Sequence, residues 1–174
     1  MRLYFIGSLY ISQLQHGIQG LHSFGEMALK YLLQDEPPTA EQRKVLRDFL
    51  TDHGTAIFLR GGDVKELDKA HRSLAQISED WPANSPVGEL LFSKFHEPAM
   101  GGMLTSVTAI VPECSYFDGR QPGRHQARLD LMDKVKAAGY EGYEDLLEAS
   151  FDAGAFTPEE RLALVFLGFS LVPS

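Results

Sequence analysis

Four polar residues, Gln15, Gln19, His22 and Glu26, recur at spacings of four, three and four within the run from Ser12 to Leu33, SQLQHGIQGLHSFGEMALKYLL. On a helix those spacings share one face. Two amides, an imidazole and a carboxylate side by side can bind a ligand or hold a proton, so this stripe is the first place to expect chemistry. Gly17 and Gly20 interrupt the same helix, each costing roughly 1 kcal/mol relative to alanine. Close approach of the helix backbone to a neighbour would offset that cost. A second group comprises Glu97, Gly101, Gly102 and Thr105. Glu97 closes a strand-like run and can titrate there. Successive backbone N–H groups at Gly101-Gly102, beside Thr105, can form an anion nest. Gln15, Glu97, Gly101 and Gly102 are therefore the candidate ligand contacts.

Other chemistries find no pattern. His96 and Glu97 are adjacent, so on a strand they point to opposite faces. His16 and His22 fall on different helix faces, and no H-x-x-x-H or H-E-x-x-H occurs, so no metal site is expected. Gly61-Gly62 belongs to neither phosphate-binding glycine motif and reads as a tight left-handed turn. There is no G-x-S-x-G, and the lone Cys114 allows neither an internal disulfide nor a cysteine zinc site. No cofactor is expected.

The elements that must hold these residues follow from periodicity. Leu3 to Ile11 reads as a strand. Ser12 with Gln15 makes a capping box, and Leu14, Ile18, Leu21, Ala28 and Leu32 form the apolar face expected to pack inward. Thr39 with Gln42 opens a second helix through Leu50, and Gly54 is its natural stop. Thr55 to Arg60 is a short apolar strand. Asp63 with Glu66 starts a third helix running to Ile77. Glu89 to His96 and Met103 to Val111 are two further strands. The order β-α-α-β-α-β-β predicts an α/β fold, a three-layer sandwich on a small mixed sheet. Beyond it the chain reads as helical: Gln126 to Ala138, Tyr143 to Phe151, and a last helix opened by Thr157-Pro158-Glu159-Glu160. The expected division is an α/β domain over residues 1–115 and a helical extension over 116–174 packed on it, with Tyr116 to Arg124 as the hinge.

With 174 residues the chain suits one domain with a small appendage. Its net charge of −8 argues against a broad phosphate-binding surface. Arg120, Arg124, His125 and Arg128 form the one obvious basic cluster, read as a solvated loop leading into a helix. No apolar run approaches the ~20 residues of a membrane span, and the N-terminus lacks the form of a signal peptide. A reducing, cytoplasmic setting with no membrane is expected. The last helix is apolar nearly all round, which suits packing on its own domain, a protein partner or a homodimer through the C-terminal helices.

Two segments carry a family resemblance. Leu14 to Ser23, LQHGIQGLHS, resembles the helix Gly-Lys-x-x-x-Gln-x-x-His-Ala of the class II peptidyl-tRNA hydrolase superfamily, with Gln19 and His22 on its glutamine and histidine. Phe95 to Val107, FHEPAMGGMLTSV, is similar to the segment Phe-x-Glu-Pro-Asp-(loop)-Leu-Thr-Ala of the superfamily's less studied branch. The resemblance covers residues 1–112. It implies a small α/β domain that handles the tRNA acceptor end or a small nucleotide-like ligand. It implies His22 as general base, with Gln19 or Thr105 donating hydrogen bonds, as ester hydrolysis requires. Two positions depart from the pattern: the family's lysine falls at Gln15 and its aspartate at Ala99. Both losses remove charge-assisted contacts. The expected function is therefore a non-catalytic or altered relative that binds a ligand or partner; the alternative is a hydrolase of the ester in peptidyl- or aminoacyl-tRNA or a related nucleotide conjugate.

Overall fold

Hydrophobic alternation in the first strand sets up the layers. In β1 (Arg2–Gly7) Leu3 and Phe5 face one way, Tyr4 and Ile6 the other, and all four are buried. A strand buried on both faces needs helices on both. In the computed structural model, which describes residues 1–33, 39–52, 54–82, 85, 88–111, 124–141 and 145–171, it has them. Leu3 and Phe5 join a core with α1 (Gln13–Leu33) and α2 (Ala40–Thr51), centred on Met27, Leu46 and Phe49. Tyr4 and Ile6 join a larger core with α3 (Val64–Asp80) and the C-terminal helices α4 (Arg124–Ala137), α5 (Leu146–Ala149) and α6 (Pro158–Leu167). The molecule is the expected α/β sandwich, helices on each side of a mixed sheet.

The sheet order is β3-β4-β1-β2-β5. β2 (Thr55–Arg60) runs parallel to β1, while β4 (Met103–Val111) runs antiparallel to both β1 and β3 (Leu91–Glu97). β5 (Ser170–Leu171) pairs antiparallel with β2. The extension is thus not helical throughout: its last described residues close the sheet edge.

Boundaries shift for local reasons. β1 stops at Gly7 rather than Ile11 because the Ser8 side chain accepts the Tyr10 N–H and bends the chain. The capping boxes at Ser12, Thr39, Asp63 and Thr157 all form, side chain and backbone reciprocated. Gly61 and Gly62 do not adopt left-handed backbone as expected. Gly61 is there for space, since a Cβ would sit 2.7 Å from the Gly7 carbonyl oxygen. The expected helix from Tyr143 is described only as Leu146–Ala149, and the hinge at 116–123, with Arg120 and Cys114, lies outside the described residues. Among the described residues no helix is long and apolar enough to cross a membrane.

The largest departure is in α1, which lies on the sheet the other way round. Its buried face is His16, Gln19, Gly20, Ser23, Met27 and Tyr31, while Leu14, Ile18, Leu21 and Leu32 face solvent. Small polar residues let the helix come close. A Cβ on Gly20 would lie 2.9 Å from the Phe5 ring, and the Ser93 hydroxyl donates to the Ser23 carbonyl at 2.6 Å. Gly17, by contrast, faces open space.

Candidate functional site

The buried polar face of α1 meets the start of β4 at a β-bulge. Phe95 pairs with Ser106 and His96 with Leu104, so Thr105 is the extra residue. A bulge breaks alternation and re-aims a side chain. Here it lets two consecutive residues reach the same helix: Thr105 Oγ1 donates to Gln19 Oε1 at 2.8 Å, and Ser106 Oγ donates to the Gln19 carbonyl at 2.9 Å. Those bonds fix the Gln19 amide, whose Nε2 donates to Glu97 Oε2 at 2.7 Å. The other carboxylate oxygen of Glu97 accepts the Ala99 N–H at 3.1 Å and caps the 3-10 turn Pro98–Met100. A chain of bonds therefore runs from a fully buried hydroxyl, through a nearly buried amide, to a carboxylate at the surface.

Charge accumulates at the outer end. The Gln19 amide, foremost, and the Ala99 N–H hold the Glu97 carboxyl below its ordinary range. His22 adds a smaller pull from nearby. The His22 ring is exposed and meets the Phe95 ring edge-on at 4.8 Å between centroids. An ionised carboxylate beside an exposed imidazole makes a polar contact suited to a ligand offering N–H or O–H donors.

The sequence-predicted residues thus divide. Gln19, Glu97 and Thr105 come together, with His22 alongside. Gln15 stands apart: its Oε1 accepts the Ser12 N–H at 2.8 Å, a capping role, and its side chain is exposed. Gly101 and Gly102 take left-handed φ of 68° and 78°. Their N–H groups donate to the Pro98 and Glu97 carbonyls within the turn, so they are not free to cradle an anion. Ala99 contributes only its backbone.

His16 was not expected here. It is buried against Gly7, where a Cβ would lie 2.2 Å from its Nδ1, and it is bonded to the Ser8 backbone. Burial, and then the Arg60 guanidinium, push its pKa down, which favours the neutral ring. Its sequence signal was position: His16 lies three residues before Gln19 and seven before Ser23, on the face that Gly20 marks. Among the described residues no group of three His, Cys, Asp or Glu side chains could hold a metal ion.

No protein-family model matches this chain, and no curated protein matches it either.

Proposed function

We propose that this protein is a ligand-binding relative of the class II peptidyl-tRNA hydrolases, holding a nucleotide-like ligand such as an aminoacylated 3′ terminus over Glu97 and His22 without cleaving it. One observation carries the reading: the Thr105 proton is given to Gln19 Oε1, and the Gln19 amide in turn donates to Glu97. Ester hydrolysis needs donors aimed at the developing oxyanion. Here the hydroxyl's one proton is committed inward, and no cation stands at Gln15 or Ala99. Glu97 keeps acceptor capacity at the surface, beside the exposed His22 imidazole. That combination supports binding an amino, amide or hydroxyl group.

One contact favours the hydrolase alternative. A carboxylate near His22 can orient an imidazole as general base, and Glu97 interacts electrostatically with His22.

The binding reading is tested by titrating the protein with a 3′-aminoacylamino-adenosine, whose amide replaces the labile ester. Saturable binding is expected, weakened about tenfold or more by Glu97→Ala. No binding by the wild-type chain, or binding that neither Glu97→Ala nor His22→Ala weakens, would overturn the reading.

A further inference from the structure

We infer that α1 is the interface of an antiparallel homodimer, two copies pairing through the apolar stripe that each leaves uncovered. The stripe holds Leu14, Ile18, Leu21, Gly25, Ala28 and Leu32, at spacings of 4, 3, 4, 3 and 4. This is the heptad seam of packed helices. It spans an arc of about 80° on the side of α1 opposite the sheet, and no charged residue falls within it. A soluble helix normally turns such a stripe inward; here the inward face is His16, Gln19 and Ser23 over its first half, with Met27 and Tyr31 completing it.

A second copy is the occupant because the stripe complements itself. Consider a two-fold axis at the level of Ser23, midway between Leu14 and Leu32. Leu14 then meets the partner's Leu32. Ile18 meets the partner's Ala28, Leu21 meets the partner's Gly25, and Gly17 meets the partner's Leu29. Three of these four rungs set a large side chain against a small one. That is how two helix surfaces interdigitate, and an isologous contact requires such self-complementarity. Gly17 and Gly25 both have nothing within 4 Å of where a Cβ would stand, so the space for the partner's side chains is open.

Area and charge agree. Leu14, Ile18, Leu21, Leu29 and Leu32 are 77%, 43%, 67%, 50% and 47% exposed. Together they present roughly 500 Å² of apolar surface per copy, or about 1,000 Å² over a pair, the threshold for a specific interface. On the polar flank the axis brings Glu26 within one helical turn of the partner's His22, twice over. The two His22–Glu97 sites then lie on the same side of the pair, each bordered by a carboxylate of the other copy.

Light scattering on the eluted 174-residue chain tests this, with a mass of twice 19.3 kDa expected. Leu21→Glu, at an exposed position, should keep the circular dichroism of the wild type and raise the dimer dissociation constant at least tenfold. Independently of that variant, Leu21→Cys and Gly25→Cys chains, both carrying Cys114→Ser, should form mixed disulfides faster than either chain alone. A monomer at up to about 100 μM overturns the inference. So does a dimer that Leu21→Glu leaves intact, or one in which the mixed disulfide gains no advantage; either outcome assigns the interface to another surface.

Discussion

Gln19 accepts from Thr105 and donates to Glu97 at once, so its removal strands a buried hydroxyl and strips a carboxylate of its closest partner. Gln19→Ala should cost about 1–3 kcal/mol of stability, read from urea unfolding. Thr105 can turn to the Phe95 carbonyl, 3.4 Å away, which places the loss toward the lower end. The same bonds carry a pH dependence. Glu97 has a folded-state pKa below its ordinary 4.5, so it stabilises the fold above that value and the contribution is lost as pH falls through the lower, folded pKa. Glu97→Gln should therefore flatten the acid limb of stability below about pH 4.5. His71 acts over a different window. Burial, with Lys94 and Lys30 adding to it, lowers its pKa from 6.5 to about 4. The unfolded chain takes up that proton first, so stability should fall as pH drops from 6.5 towards 4. His71→Phe, which keeps a ring against Phe92, should remove that slope when urea midpoints are compared across pH.

At the scale of elements, α1 shows what patterning can and cannot tell. Its two glycines predict opposite outcomes. Gly20→Ala would push a Cβ into the Phe5 ring and should destabilise the fold. Gly17→Ala, with open space around it, should stabilise the helix by about 0.5–1 kcal/mol. Urea unfolding in the Leu21→Glu background reads both without the coupling of dimerisation. The capping boxes, the element order through β4 and the strand pairing potential were legible because each rests on local chemistry: a hydroxyl or carboxylate three residues ahead of Gln or Glu, or β-branched runs between breakers. The orientation of α1 was not. Hydrophobicity assigns its leucines to the core, yet Gly20, Ser23 and the bulge at Thr105 let a polar face seat more closely on the sheet. The bulge itself depends on how β3 and β4 pair, which no single segment contains. Hence the sequence singled out Gln19 and Thr105 separately, while the bond that joins them and the burial of His16 against Gly7 were not legible. The short β5 was hidden for a similar reason, since two residues carry no periodicity.

At the scale of the whole molecule, the C-terminal helices complete the fold. Leu162, Ala163, Leu164, Val165 and Phe166 of α6 are buried within the molecule, against α3 and the sheet. Arg161, also buried, fastens α6 to Asp80 at the end of α3 and to the Ser150 carbonyl. Its Nη2 finds no partner among the described residues. Asp80 is 45% exposed and stays solvated when the buried Arg161 is replaced by an apolar chain of similar size, whereas removing Asp80 leaves the buried guanidinium stranded. Arg161→Met should thus be nearly neutral and Asp80→Ala should cost roughly 3 kcal/mol, a contrast that thermal unfolding of the two variants checks. The candidate site sits at the N-terminal half of α1, where the sheet, the bulge and the turn after β3 converge, and Glu97 turns acceptor capacity outward there. The most direct measurement is the release of N-acetylaminoacyl groups from peptidyl-tRNA by the purified chain, beside His22→Ala. A rate no higher than that of buffer, the same for both proteins, is expected; turnover that His22→Ala abolishes would contradict the binding role and make this site a hydrolase.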